Sequence, residues 1–269
     1  MSYEAFPATS PKHYARLLAE CSLNGELPLV VGGQGVNVWC LYFEEEEEGL
    51  GAYAPFTSSD CDVVADQDWL RLVAEKTGLQ YKTFKAGVAS PEVGMLVVPL
   101  PTGETMIQVL RTVKGVRIEQ AVDNSLLVQL NGDTYRVMHP IVLLQAKLAN
   151  ALELDQRNRQ DIKHVKMLCH CVRAFLWSQI EETMQGNLDP RACVGFLEET
   201  AKVITSDKAH QMAKKHGLSF LNILPVESLP VYAPKAIVNF AEKRVPRLEI
   251  AADLGADPIL MPRVGRRMW

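Results

Sequence analysis

The sequence predicts an α/β (α+β) protein in two parts, a mixed sheet with flanking helices over residues 1–137 and a helical domain over residues 138–269. Three observations predict it. A short apolar run ends at Gly32-Gly33 and gives way to a helix-length apolar segment, the pattern of strand, tight turn and helix. Two runs of strand character flank Pro101-Thr102-Gly103-Glu104, the pattern of an antiparallel hairpin. After His139-Pro140 the apolar residues recur at about every 3.6 positions, which is the helical period.

The elements follow in order. Ser10-Pro11 before KHYARLLAEC reads as an N-cap and an N1 proline opening a helix near 11–22, with Tyr14, Leu17 and Leu18 on one side. Leu27–Val31 is the first strand, and VNVWCLYF continues the helix that Gly32-Gly33 opens. Glu44 to Glu48 form a like-charge block, expected to be a solvated loop without chemistry. Asp60–Ala65 alternates acidic and apolar residues as a short strand does, and Asp66 begins a helix that Gly78 closes. Strands are expected at 94–99 and 105–110, and weaker ones at 116–119, 124–129 and 134–137. In the second half, helices are expected over IVLLQAKLANALEL, DIKHVKMLCHCVRAFLWSQI and ACVGFLEETAKVI, and a last one from about 235 to 253 before an Arg-rich tail.

Composition narrows the function classes. With 48% hydrophobic residues among 269, the chain is expected to bury one large core or two modest ones, which excludes a disordered or fibrous class. No long apolar run is present, so neither a secretory leader nor a membrane span is expected. The six cysteines contain no C-x-x-C pair, and reduced thiols in a cytoplasm are the simplest account. A net charge of -4 argues against broad capture of nucleic acid, so any such partner would be met locally.

Two features carry the chemistry: the turn Gly32-Gly33-Gln34-Gly35 opening a helix, and Asp60-Cys61-Asp62 on the next strand. Residues i and i+2 of a strand share a face, so the two carboxylates stand side by side. Such a pair repels itself unless a cation intervenes. Magnesium prefers carboxylate and phosphate oxygens, and amides at a helix N-terminus receive phosphate. The combination, with Thr57-Ser58 ahead of the aspartates, resembles the nucleotidyltransferase superfamily, and over roughly residues 25–170 it is most similar to the abortive-infection type nucleotidyltransferase toxins. That resemblance implies a Mg²⁺-dependent enzyme moving a nucleoside monophosphate from a nucleoside triphosphate to RNA, a protein or a small molecule. It implies Asp60, Asp62 and Lys147 as catalytic residues, with the two aspartates as metal ligands, Gly32, Gly33, Thr57, Ser58 and Gln108 around the nucleotide, and Lys147 in LLQAKLANAL approaching its phosphates. An R-x-D element follows at Arg159 and Asp161. Read without the resemblance, Lys147 and Arg159 are solvated helix residues and Asp161 favours a helix N-terminus.

The pattern also departs from the family. Where a third carboxylate is expected on a later strand, TMIQVL supplies Gln108, and an amide neither accepts the acceptor's proton nor adds negative charge. His164 stands where a second acid would follow Asp161. Glu104 is one substitute carboxylate; a lapsed site retaining nucleotide or partner binding is the alternative. A dinucleotide-binding reading of Gly33-x-Gly35 fails because its third glycine would fall on Val38. His164, Cys169, His170 and Cys171 diverge around a helix axis and are expected to pack rather than to ligate a metal. Phe175, Leu176 and Trp177 are expected in the helical core, and the tail Arg263, Arg266, Arg267 and Trp269 is assigned no role.

Overall fold

The structure, a computed structural model, describes residues 7–20, 22, 25–84, 90–101, 103–227 and 229–254, with side chains as far as residue 249. The Arg-rich tail lies outside the described residues. Seven strands and ten α-helices are present among those described, and the chain divides into two compact units, residues 1–171 and 172–269.

In the first unit, α1 (Lys12–Glu20) seats Tyr14 and Leu18 in the core. β1 (Leu29–Val30) is only two residues long, because Val31 already leaves the strand as the N-cap of α2 (Gly32–Phe43). A 3₁₀ turn (Glu48–Tyr53) leads to β2 (Asp60–Val64). Helix α3 (Gln67–Thr77) starts where the Asp66 side chain accepts from the Trp69 amide and ends at Gly78 in the left-handed region. Then come β3 (Tyr81–Thr83), β4 (Glu92–Leu100), β5 (Gly103–Leu110), α4 (Ile118–Asp123), β6 (Ser125–Leu130) and β7 (Asp133–Met138). Asn131 and Gly132, both at positive φ, make the two-residue turn between β6 and β7. His139 caps α5 (Pro140–Glu153) by accepting from the Ile141 amide, and α6 (Asp161–Met184) follows.

The strands form one mixed sheet in the order β3-β4-β5-β2-β1-β7-β6. The parallel pairs are β1 with β7 and β2 with β5; the rest are antiparallel. Alternation gives the centre of the sheet two faces. Cys61, Val63, Leu96, Ile107 and Val109 are buried on one face. Asp60, Asp62 and Gln108 lie on the other, half-buried.

Two expectations about elements are corrected. Residues 116–119 are not a strand: Gly115, at φ +79, folds Val116 into a single bridge with Val113, and Ile118 and Ala121 then use the helical i, i+3 spacing of α4 to bury Ala121. The last helix is two, α9 (Lys235–Lys243) and α10 (Val245–Leu254), since Pro246 has no amide hydrogen and is tolerated only in a first turn. The units divide inside α6, later than the 137/138 boundary expected from the change of period, because α5 packs on α2 within the first unit.

The second unit continues with α7 (Pro190–Ile204), capped by Asp189, and α8 (Asp207–His216), capped by Ser206 and closed at Gly217. Helix α7 packs on α8 and α9, and α9 on α10. Phe175 meets Phe196 edge-on, with ring centroids 5.4 Å apart.

Candidate functional site

The site is built where the start of α2 meets β2. Gly32 has φ +61, a conformation that an L side chain adopts only with strain. The space is closed as well: a Cβ at Gly32 would overlap the Asp62 carboxylate and lie 2.8 Å from its Cγ. A Cβ at Gly33 would stand 2.6 Å from Ser58 Oγ and 3.3 Å from His164 Cε1. The Val31 amide donates to the Asp62 carbonyl at 2.9 Å, which fixes the turn against the strand. The glycine turn and the aspartate pair thus touch, and glycine is needed because the neighbouring side chains take the space.

A buried polar network holds the approach to β2. Thr9 and Ser58 exchange backbone hydrogen bonds of 2.8 and 3.0 Å. Thr105 Oγ1 donates to the Ser59 carbonyl at 3.2 Å and lies 2.7 Å from the Tyr14 hydroxyl, which is 2.8 Å from Thr9 Oγ1. Gln34 Nε2 donates to the Thr9 carbonyl at 2.9 Å. Ser58 Oγ then donates to Asp60 Oδ1 at 3.1 Å. Thr57 is half-buried beside it, and no hydrogen bond of its hydroxyl occurs among the described residues.

Asp60 and Asp62 share the open face of β2. Burial, and after it the neighbouring Asp60, raise the Asp62 pKa to about 7 against the opposing charges of Lys147 and Arg159. These two carboxylates suit a hard divalent cation, which would relieve their repulsion. Among the described residues no third His, Cys, Asp or Glu completes a cluster able to hold a metal; magnesium commonly draws its other ligands from water and phosphate.

Gln108 sits beside Asp62 in the parallel register of β5 and β2. Its Nε2 donates only weakly, to Met106 Sδ at 3.2 Å. Glu104 is exposed on the same face of β5, but lies four residues, about 13 Å, from Gln108. A carboxylate missed by sequence reasoning is Glu92. Without a bulge, Leu110 would pair with Val93, and Glu92 would fall on the opposite face. The irregularity between Glu92 and Gly94 instead pairs Glu92 with Leu110, so Glu92 shares the face of Gln108 and its charge adds to those raising Asp62. The bulge adjoins Gly94, and a glycine inside a strand pattern is the one sequence signal for such an irregularity.

Lys147 is not a solvated helix residue. It is 4% exposed, and its Nζ donates to Asp161 Oδ1 at 2.8 Å. Arg159 Nε donates to the other Asp161 oxygen at 2.6 Å, while the Arg159 side chain is 43% exposed. Burial alone would raise the Asp161 pKa, yet Lys147 and Arg159 together hold it down to about 2. The buried cation is therefore committed to Asp161, and Arg159 is the one of the pair that reaches solvent.

The His and Cys residues of α6 point apart. His164 lies against Gly33; His170 Nδ1 is 3.0 Å from Glu47 Oε1; Cys171 Sγ is 3.5 Å from Cys40 Sγ. The contact of Glu47 with His170 gives one member of the acidic block a structural partner that charge patterning did not indicate. Among the described residues, no helix is long and apolar enough to cross a membrane. Comparison of the chain with protein-family models and with curated proteins finds no match.

Proposed function

We propose that this chain is a Mg²⁺-dependent nucleotidyltransferase that moves a nucleoside monophosphate from a nucleoside triphosphate to an acceptor hydroxyl on RNA, a protein or a small molecule. One observation carries the reading: the first turn of α2 and the Asp60/Asp62 pair are in direct contact, with Gly32 required by the space that the Asp62 carboxylate occupies. The amides of Gly32 and Gly33 offer donors to phosphate oxygens at the positive end of a 12-residue helix. Asp60 and Asp62 would hold the cation, with Ser58 fixing the orientation of Asp60. Magnesium bound there supplies charge neutralisation for the triphosphate and polarises the reacting phosphorus. Arg159 places a half-exposed guanidinium near the same charges, and Lys147 acts through Asp161, which it anchors.

A second reading keeps the fold and nucleotide binding but not transfer. Its support is Gln108, registered against Asp62 where a carboxylate would serve as base. Calorimetric titration of each nucleoside triphosphate with Mg²⁺ tests the common ground. Micromolar binding that is lost in Asp60→Ala/Asp62→Ala is expected, and absence of binding by every nucleotide refutes both versions of the site. Pyrophosphate release by the wild-type chain separates them: release supports transfer, whereas release that appears only in Gln108→Asp supports the lapsed reading.

A further inference from the structure

We propose that His164 is part of the anion cradle, its neutral imidazole donating a ring N–H from Nδ1 to a polyphosphate oxygen held on the Gly32-Gly33 turn. The inference rests on the nucleotide-site reading only for where the phosphates lie. The helix N-terminus supplies the amides, and a second, separate observation points to the ligand. His164 is 5% exposed, and its Nδ1 is buried without a hydrogen-bond partner. Such an orphan is costly unless another group engages it. The ring edge is also directed at the turn, since Cε1, the carbon between the two ring nitrogens, is the His164 atom 3.3 Å from the Cβ position of Gly33. A side chain at Gly33 would press on this ring and on Ser58 Oγ; glycine leaves both adjacent to the turn.

The electrostatic surroundings fix what the imidazole offers. Burial, helped by the charges of Lys147, Lys163 and Arg159, lowers the His164 pKa to about 3 against the pull of Asp161. At neutral pH the ring therefore carries one N–H donor and no charge. An acid at this position would repel phosphate. A neutral donor does not, and Lys147, committed to Asp161 at 2.8 Å, needs no further anion to balance it. The ligand class is a polyphosphate anion, from either a nucleoside triphosphate or an inorganic chain.

The test uses the full chain with inorganic tripolyphosphate alone, and separately each nucleoside triphosphate with Mg²⁺. Long-range ¹H–¹⁵N spectra follow the ring nitrogens, and calorimetry gives affinity. Tripolyphosphate is expected to move the Nδ1 resonance of His164. His164→Leu is expected to weaken tripolyphosphate binding about tenfold without lowering the Tm, because it also removes the orphan nitrogen. His164→Asn, whose amide nitrogen stands near the Nδ1 position, is expected to bind within about threefold of wild type. Unmoved ring resonances at saturation, wild-type affinity in His164→Leu, or no tripolyphosphate binding at all overturns the inference. Asp60→Ala/Asp62→Ala keeps the two readings apart: it is expected to abolish the Mg²⁺-nucleotide complex while leaving the tripolyphosphate response of His164. If Mg²⁺-nucleotide binding survives that double substitution, the metal-site reading falls and the His164 contact stands. Equal affinity for tripolyphosphate and Mg²⁺-nucleotide identifies an inorganic polyphosphate site; preference for one nucleoside identifies a nucleotide site.

Discussion

Substituting Gly32 by alanine tests whether the turn and the aspartates form one site. Two effects are separable in the structure. The first is backbone strain: φ at Gly32 is +61, and placing a Cβ there costs about 1–2 kcal/mol. For a unit of this size each kcal/mol lowers Tm by about 2–4 °C, so a fall of about 2–8 °C is expected. The second is displacement. The new Cβ would overlap the Asp62 carboxylate and stand 2.8 Å from its Cγ, so Asp62 must move by on the order of 1 Å, enough to weaken a preorganised site by roughly tenfold to a hundredfold. Gly78→Ala is the control, because Gly78 has φ +71 and nothing within 4 Å of its Cβ position. It carries the strain without the displacement. Thermal unfolding and calorimetric titration with Mg²⁺ and nucleoside triphosphate are measured on both variants. Both should lose stability, and only Gly32→Ala should lose affinity. Equal affinity in the two variants, with similar loss of Tm, refutes the argument that Asp62 is held in place by the turn.

Further outcomes follow from the charges. Asp62 titrates near pH 7 in the folded chain, so Mg²⁺ must displace a proton at lower pH; its affinity should rise about tenfold between pH 6 and pH 8, and a flat profile by calorimetry refutes the assignment. His164 and His139 are buried with pKa values lowered to about 3 and about 4 from 6.5. The unfolded chain takes up these protons first, so the stabilisation is complete above pH 6.5 and is lost as pH falls through the window down to 3–4. Each ring contributes up to about 1.4 kcal/mol per pH unit, and Asp62, raised to about 7, contributes a similar slope of opposite sign over the same range, so urea unfolding at pH 7, 6 and 5 should show stability rising with pH in the wild type and a nearly flat profile in His164→Leu. Asp161→Asn leaves Lys147 buried beside a neutral group, at a cost of about 3–5 kcal/mol. Lys147→Met combined with Asp161→Leu should cost less than Asp161→Asn alone in denaturant unfolding, and additive losses would contradict the pairing.

Local chemistry was legible in the sequence. Asp66 and Gly78 bound α3 as expected, because a side-chain acceptor and a left-handed glycine act within one turn of the chain. The period-two pattern placed Asp60 and Asp62 on one face, since strand geometry leaves no other arrangement. The period-3.6 pattern identified α5 and α6 for the same reason. What depends on residues distant in the chain was not legible. Lys147 reads as a surface lysine until α5 and α6 set it 2.8 Å from Asp161. Gln108 meets Asp62 only through the register of two parallel strands 46 positions apart. Glu92 reaches the site face only through a bulge, and His164 reaches Gly33 only because α6 brings it back to the start of α2. Sequence by itself determined the segments whose pattern is strong, such as α3, α5 and α6, and that Asp60 and Asp62 share a face, because those follow from nearest-neighbour geometry, whereas α4, α8 and β3 were not read from it; tertiary structure alone decided which charges are buried, neutralised or left without a partner, because burial and electrostatic contact are set by packing between segments far apart in the chain.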